Sequence, residues 1–249
     1  DNGAILSPAE AADMDDLEDI QYRLEKELDE LRPVRALVRM ESAPSTQPEE
    51  RPVTEPPANP RSEPPVSRNF RFSADYDLYP GGAKTKYKNN ILAIKTLKQI
   101  EAEKRTATPE EQITLARYVG WGSLANAFSD KAAGWENEYQ ELKALLTDEE
   151  YKAAMRSTIT AYYTEPELIR YMYRALERFG FEGGPDRRIL DPGMGTGNFY
   201  SVLPEQYQGT KLYGVELDSI TGRIAKQLYP EADISVMGYE AAKFEDNSF

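Results

Sequence analysis

The sequence predicts an α/β protein in which a small helical domain precedes the first strands of a doubly wound parallel sheet. From residue 188 onward, short apolar strands alternate with a glycine loop and helices, the order that produces parallel strands joined by crossover helices. Between residues 88 and 156, apolar residues recur at three- and four-residue steps, as in amphipathic helices. The 249 residues are enough for about two domains of ordinary size.

The composition excludes several classes of protein. The chain has no cysteine and no histidine, which excludes disulfides, thiolate metal sites and Ser-His or Cys-His catalytic pairs. We therefore expect no bound metal and a cytoplasmic location. No apolar run is long enough to span a membrane, and the N-terminus lacks the pattern of a signal peptide, so no membrane association is expected. The net charge of −13 disfavours a protein that coats nucleic acid without specificity.

The first 68 residues are predicted to form one helix and a linker. Within the region 1–41, residues 13–32 carry leucine and isoleucine at helical spacing, and Pro33 ends the pattern. We interpret this segment as an amphipathic helix that docks on another part of the protein, with a coiled coil as the alternative. Residues 42–68 contain eight prolines and no aromatic residue, so they cannot bury enough apolar surface to fold. A disordered linker is predicted there.

Residues 69–160 are predicted to form the helical domain. Apolar spacing favours four helices, with Thr108 as the cap of the second and Pro109 at its first position. Their predicted ranges are 88–104, 109–119, 136–146 and 148–156.

Two features of this domain could serve a nucleic acid. Residues 69–110 carry eight basic and five acidic side chains, a basic island in an acidic chain. The island's lysines are Lys84, Lys86, Lys88, Lys95 and Lys98. They would contact phosphates or form an ordinary solvated helix face. In the segment YVGWGSLANAF, two glycines flank Trp121, so this ring is either a packing anchor or a stacking surface for a base.

Residues 161–249 are predicted to form the α/β part. A helix is expected at 165–179, since Pro166 opens the apolar pattern and Gly180 closes it. The predicted strands are 188–191, 211–217 and 233–237. A short helix follows the first strand, and a helix at 219–228 joins the second to the third.

The stretch ILDPGMGTGNF, from Ile189 to Phe199, favours a particular ligand. It follows a strand and opens a helix, and its glycines let the backbone approach a ligand closely. A dinucleotide site requires a further glycine at position 198, where this chain has asparagine. Asp191 would repel a pyrophosphate but suits the sulfonium and amino group of S-adenosylmethionine. The spacing therefore favours the methyl donor over NAD.

The second strand ends in an acidic residue that fits the same interpretation. Glu216 can accept hydrogen bonds from both hydroxyls of a ribose, and the side chain of Leu217 can lie against an adenine ring. Dinucleotide-binding folds also place an acid at this position, so Glu216 alone does not discriminate between the two cofactors.

These motifs carry a resemblance. The segments AYYTEPELI, ILDPGMGTGNF and LYGVELDSITGRIA resemble motifs X, I and II of amino-methylating DNA adenine methyltransferases of class I. Together with FRFSADYDLYPGGAKTKYKNNILAIKTL and YVGWGSLANAF, they resemble large proteins of bacterial conjugative and phage-like elements that join such a methyltransferase to a helicase. The resemblance covers residues 69–249. It implies a truncated Rossmann-like methyltransferase sheet, S-adenosylmethionine as cofactor and DNA as a partner of the larger protein.

The resemblance also implies roles for individual residues. Tyr163 and Thr164 would close over the methionine end of the cofactor. Glu216 would bind the ribose and Leu217 the adenine, while Glu240 or its neighbour Tyr239 would lie near the adenine amino group. The residues that would hold the methionyl part are Asp191, Gly193, Gly195 and Gly197.

One departure from the family is expected to remove activity. The family's catalytic motif is Asn or Asp, then Pro-Pro, then Tyr or Phe, and it orients the amino group of a flipped base. The chain's two Pro-Pro pairs, in EPPA and EPPV, have neither the polar nor the aromatic residue. No catalytic residue is therefore predicted, and the fragment is expected to be inactive. A methyltransferase for RNA or protein, or a non-catalytic DNA-binding or assembly module, remains the alternative.

Overall fold

A computed structural model of the chain describes residues 67–76, 78, 81–159 and 163–249. All of them belong to one compact unit. The helix predicted at 13–32 and the linker up to residue 66 lie outside the described residues. The last two residues of the predicted linker, Ser67 and Arg68, both donate hydrogen bonds to the carboxylate of Glu231.

Helices and strands follow the predicted order. The helices are α1 (Ala83–Ala102), α2 (Pro109–Ala116), α3 (Glu136–Leu145), α4 (Asp148–Arg156), α5 (Pro166–Arg178), α6 (Asn198–Ser201) and α7 (Ser219–Leu228). The strands are β1 (Arg188–Asp191), β2 (Lys211–Glu216) and β3 (Asp233–Val236).

The sheet has the order β1-β2-β3, and both strand pairs are parallel. Leu190 pairs with Tyr213, and Val215 pairs with Ser235. Helix α7 packs on β2 and β3. Gly222 makes this approach possible, because a Cβ there would lie 2.8 Å from a methyl group of Val236. The prediction of an α/β protein with a parallel sheet is confirmed.

Local sequence signals explain the helix boundaries. Thr108 and Glu111 form a reciprocal capping box at the start of α2, and Thr147 and Glu150 form another at the start of α4. Most predicted helix ends are within one residue of the observed ones. The exceptions are α1, which spans Ala83–Ala102 rather than residues 88–104, and α2, which ends at Ala116 rather than at residue 119.

The early start of α1 has a simple physical reason. The apolar pattern used for the prediction begins near Ile91, but the helix begins directly after the turn at Gly82. Its first turns are polar except for Tyr87, whose ring is buried against Trp121 and Trp135. The burial of the Tyr87 ring therefore accompanies more than a turn of helix that the apolar periodicity does not reveal.

The helical region and the sheet share one core. Helices α1, α2 and α4 all contact α7, the helix that covers the sheet. The side-chain amide of Gln112 on α2 donates to the carbonyl oxygens of Gln227 and Leu228 at the end of α7. Among the described residues, no helix is long and apolar enough to cross a membrane.

Candidate functional site

The glycine loop connects the end of β1 to α6, and its three glycines have different roles. A Cβ at Gly193 would meet no atom within 4 Å, so this position opens to solvent. Gly195 and Gly197 have φ values of +56° and +85°, which residues other than glycine rarely adopt. The ring of Tyr163 covers Gly195, and the ring of Tyr229 lies against Gly197. Gly193 is thus the glycine whose lack of a side chain leaves room for a ligand.

Glu216 ties the loop to the end of β2. Its Oε2 accepts a hydrogen bond from the backbone N–H of Gly195 at 2.8 Å, and its Oε1 accepts one from the N–H of Asp218 at 2.7 Å. An ionised carboxylate has about four acceptor positions, so about two remain available to a ligand. The backbone holds this carboxylate in place before any ligand binds.

A cleft opens between the glycine loop and Glu216, at the carboxyl ends of β1 and β2. It encloses about 180 Å³. Among the described residues, three carboxylates line it, those of Asp191, Glu216 and Asp218, and no lysine or arginine does. The remaining lining residues are Ser157, Tyr163, Thr164, Gly193, Met194, Gly195, Asn198, Phe199 and Thr221. We call it the carboxylate cleft. Its charge favours a cationic ligand and opposes a pyrophosphate.

Burial sets the titration of two of these acids. It raises the pKa of the Asp191 carboxyl, an effect opposed by the hydrogen bond from the Gly193 N–H. It also raises the pKa of Glu216, against the hydrogen bonds from the Asp218 and Gly195 N–H groups. A positive charge near Asp191 and Glu216 would therefore be favourable, because a cation stabilises the ionised form of each carboxyl.

Two described residues of the AYYTEPELI segment, Tyr163 and Thr164, lie beside the glycine loop. Tyr163 and Thr164 both line the carboxylate cleft. The side-chain amide of Asn198, at the start of α6, donates to the carbonyl oxygen of Thr164 at 3.1 Å. Behind this contact, the Tyr173 hydroxyl on α5 donates to the carbonyl oxygen of Phe199. The hydrogen bonds of Asn198 and Tyr173 thus hold Thr164 and helix α5 against the glycine loop and α6.

Three predicted site residues do not line the cleft. Gly197 lies beneath the loop, against Tyr229. Leu217 is 76% exposed, beside the cleft rather than in it. Glu240 lies exposed on the 3₁₀ turn Tyr239–Ala241 that follows β3. The roles proposed for Leu217 and Glu240 in binding adenine stay predictions.

Sequence reasoning did not assign four polar residues of the cleft lining to the site: Ser157, Asn198, Asp218 and Thr221. Asp218 caps α7: its Oδ1 accepts hydrogen bonds from both the N–H and the hydroxyl of Thr221, each at 2.8 Å. An aspartate directly before a helix, followed three residues later by threonine, is a recognisable capping signal. That signal predicts the cap but not that the cap borders a ligand cleft.

The Trp121 segment is a packing anchor. Trp121 is fully buried and packs against Tyr87, Tyr118 and Phe128. A ring without exposed surface offers no face to a base. The packing interpretation is confirmed, and the alternative of a base-stacking surface is wrong for this conformation.

Most of the basic island is neutralised within the protein. Lys84 pairs with Glu138 at 2.7 Å, and its ammonium lies 4.0 Å from the centre of the Trp135 ring. The other paired lysines of the island are Lys95, which binds Glu141, and Lys98, which binds Glu150. Among the described residues, Lys86 and Lys88 form no ion pair. The island therefore offers less positive charge than its sequence suggests.

A different basic surface is free of ion pairs. Arg170, Arg174 and Arg178 follow one another at four-residue steps along α5, which places them on one side of the helix. All three are exposed, as is Arg71, and none forms an ion pair with the described part of the chain. The guanidinium of Arg170 lies 5.4 Å from the Phe72 ring centre. We call these four residues the arginine face.

Comparison with known proteins gives limited information. No family model matches the chain, and no solved structure matches it. A stretch of 117 residues is 27% identical to the defense against restriction protein B of Escherichia phage P1. That stretch is 47% of this chain but 5% of the phage protein. The chain is thus similar to a small part of a much larger protein.

Within the described residues, no group of three or more acidic side chains is arranged to hold a metal ion.

Proposed function

We propose that this chain is the S-adenosylmethionine-binding portion of a DNA adenine methyltransferase that belongs to a larger helicase-type protein. The observation that carries the proposal is the carboxylate cleft at the carboxyl ends of two parallel strands, where the described lining has three acids and no basic residue. Open α/β sheets bind their ligands at that edge. Under this proposal the sheet is the beginning of a Rossmann-like methyltransferase sheet.

The residues present fit the cofactor. Glu216 has acceptor positions left for the two ribose hydroxyls, after its bonds to Gly195 and Asp218. Asp191 would present a half-buried carboxylate to the positively charged methionyl part. Gly193 leaves the space that this part requires. A dinucleotide would bring its pyrophosphate against the same acids, which electrostatics opposes.

The adenine end of the cofactor would contact residues next to the cleft. Leu217 directly follows Glu216 and exposes its side chain, so an adenine ring could cover it and remove apolar surface from water. Glu240 follows β3, the next strand of the sheet. We propose that its carboxylate accepts a hydrogen bond from the adenine amino group.

We propose that the 249 residues bind the cofactor without transferring its methyl group. Methylation of an exocyclic amine requires a group that accepts hydrogen bonds from the amine and orients it. The Asn/Asp-Pro-Pro-Tyr/Phe sequence that does this in the family is absent from this chain. Incubation with labelled cofactor and unmethylated duplex DNA tests the point, and methylated DNA would contradict it.

DNA is the proposed partner, and the arginine face is the surface that fits it. Arginine binds phosphates through several donors and keeps its charge at all relevant pH values. Glu167 and Glu177 on the same helix reduce the net charge, so the contact is expected to be weak. The similarity to a phage protein named for defense against restriction also supports a role on DNA, because restriction acts on DNA.

Calorimetric titration of the 249-residue chain with S-adenosylmethionine tests the cofactor. Replacing Glu216 with alanine should weaken binding by about 1–3 kcal/mol, the usual cost of removing a hydrogen-bonding partner. Glu205→Ala is the matched control, because Glu205 is exposed and lies outside the cleft. Equal affinity of Glu216→Ala and the control, or tighter binding of NAD than of S-adenosylmethionine, would overturn the assignment.

Fluorescence anisotropy with a labelled DNA duplex at increasing salt tests the arginine face. Changing Arg170, Arg174 and Arg178 to glutamine should reduce the slope of log affinity against log salt by up to about 0.9 for each lost phosphate contact. The control changes three exposed lysines elsewhere, Lys131, Lys152 and Lys226, to glutamine. If both triple variants have the same effect, only net charge matters and the arginine face is not the DNA contact.

A further inference from the structure

Two residues that precede α5 contact the glycine loop and the start of α6 at separate points. The ring of Tyr163 covers Gly195, where a Cβ would lie 2.7 Å from the ring carbon Cε1. The backbone carbonyl oxygen of Thr164 accepts a hydrogen bond of 3.1 Å from the side-chain amide of Asn198. Tyr163, Thr164 and Asn198 all line the carboxylate cleft, and all three are half-buried. We call Tyr163 and Thr164 the strap.

The side-chain amide of Asn198 is oriented by its two partners. A carbonyl oxygen only accepts hydrogen bonds, so the NH₂ group has to face Thr164. The amide oxygen then accepts the longer bond, 3.5 Å, from the hydroxyl of Thr196, a buried residue of the glycine loop. The backbone of Asn198 is held as well, because its carbonyl oxygen accepts a hydrogen bond from the Ser201 hydroxyl at 2.7 Å. The glycine loop and α6 therefore direct this amide at the strap before any ligand binds.

The contact between Asn198 and the strap borders the groups that would hold a ligand. Gly195, which the Tyr163 ring covers, donates its N–H to Glu216 at 2.8 Å. In a dinucleotide loop, position 198 is a glycine that allows the helix to pack closely on the strand. Asparagine at this position instead reaches the strap, 34 residues earlier in the chain. A ligand in the cleft would lose its contacts with Tyr163 and Thr164 if the strap moved away.

We propose that Asn198 is a positioning residue for the carboxylate cleft: its side-chain amide holds the strap against the glycine loop and so keeps the cleft closed around its ligand. That the ligand is S-adenosylmethionine rests on the proposed function; the holding of the strap does not. Loss of one such hydrogen bond shifts an equilibrium by about five- to tenfold, which is enough to measure.

The chain offers a matched control between the same two parts of the structure. Tyr173 on α5 donates its hydroxyl to the carbonyl oxygen of Phe199 on α6 at 2.9 Å, and it does not line the cleft. Asn198→Ala and Tyr173→Phe therefore each remove one hydrogen bond between α6 and the segment that contains the strap and α5. If Asn198 only docks α5, the two variants should affect ligand binding equally. If it holds the strap, only Asn198→Ala should weaken binding.

The first measurement is the affinity for S-adenosylmethionine by calorimetry, with urea unfolding beside it to show that each variant folds. Asn198→Ala should bind about five- to tenfold more weakly than the wild type, the equivalent of about one hydrogen bond. Tyr173→Phe should bind within about twofold of the wild type, although it also loses a hydrogen bond. Equal affinity of the two variants would overturn the proposal.

The second measurement needs no cofactor and uses the absence of cysteine from the sequence. Thr164→Cys introduces a single thiol on the strap and keeps the backbone carbonyl that Asn198 binds. The rate at which this thiol reacts with N-ethylmaleimide, an uncharged reagent, reports the opening of the strap. Since residue 164 is half-buried, adding Asn198→Ala should raise the rate about threefold or more, and adding Tyr173→Phe should change it by less than about twofold.

The two measurements separate the proposal from the proposed function. A faster thiol reaction with Asn198→Ala, but not with Tyr173→Phe, supports the holding of the strap even if the wild type fails to bind S-adenosylmethionine. In that case the proposed function is wrong and the role of Asn198 stands. An unchanged rate with Asn198→Ala, or an equal increase with both variants, overturns that role.

Discussion

Glu150 is expected to be the side chain on which the packing of the helical region against α7 depends most. Its Oε1 accepts a hydrogen bond from Nη1 of Arg223 on α7 at 2.7 Å, and its Oε2 accepts one from Nζ of Lys98 on α1 at 2.8 Å. Oε2 also accepts the N–H of Thr147, which completes the capping box of α4. A single carboxylate thus joins three helices.

The structure provides a magnitude for replacing Glu150 with glutamine. Burial alone would raise the pKa of this carboxyl, but the hydrogen bonds from Arg223 and Lys98 hold it at about 2, against an ordinary value of 4.5. The difference corresponds to at most about 3 kcal/mol. Because the Lys98 and Arg223 side chains are 31% and 28% exposed, solvent screens part of this energy. We expect Glu150→Gln to lower the free energy of unfolding by about 2 kcal/mol.

The lowered pKa of Glu150 also predicts how the destabilisation by Glu150→Gln depends on pH. A carboxyl with a lowered pKa in the folded state stabilises the protein above its unfolded-state pKa, and this stabilisation is lost as the pH falls through the folded-state value. The difference between wild type and Glu150→Gln should therefore be complete above pH 4.5. It should shrink as the pH falls toward about 2.

Urea unfolding followed by circular dichroism, at pH 7 and at several values below 4.5, measures both effects. Glu149→Gln is the matched control, because Glu149 precedes Glu150 in the first turn of α4 and is exposed. The control should change the free energy of unfolding by less than about 0.5 kcal/mol. If Glu150→Gln were no more destabilising than Glu149→Gln at pH 7, Glu150 would not hold the helices together in solution.

Two further predictions concern the carboxylate cleft. Binding of S-adenosylmethionine should weaken as the pH falls through the raised pKa values of Asp191 and Glu216, because protonation removes the negative charge that the cofactor requires. The loss should begin above the ordinary pKa values of these groups, 3.8 and 4.5. Titrations between pH 4 and 8 measure it, and a pH-independent affinity would contradict it. Gly197→Ala should destabilise the fold by about 2 kcal/mol or more, because the backbone is left-handed there and the added methyl group meets the Tyr229 ring. Gly193→Ala should leave thermal unfolding almost unchanged but weaken cofactor binding, since its Cβ enters open space. Equal melting temperatures of the two alanine variants would contradict the conclusion that the fold requires glycine at position 197 but not at position 193.

Much of the fold follows from short segments of sequence. The capping box of Thr108 and Glu111, the start of α5 at Pro166 and its termination just before Gly180 all depend on residues within a few positions of one another. The strands are short apolar runs, and the alternation of strands with helices is sufficient to predict a parallel sheet. These interactions are local, so the sequence displays them directly.

The candidate site was predictable in part for the same reason. Parallel strands end at the same edge of a sheet, so Asp191 and Glu216 had to lie near each other once the strands were assigned. Asp218 and Thr221 were missed because a helix cap has the same local pattern whether or not a cleft lies beside it.

The sequence by itself determined the order of helices and strands, the parallel sheet and the acidic character of its edge. Only the tertiary structure decided which charges remain free and which residues support the site. Arg223 pairs with Glu101, 122 positions away, and with Glu150, 73 positions away, and such pairings leave no periodic trace in the sequence. Local patterns report the preferences of the backbone, whereas the pairing of distant side chains depends on how the helices pack.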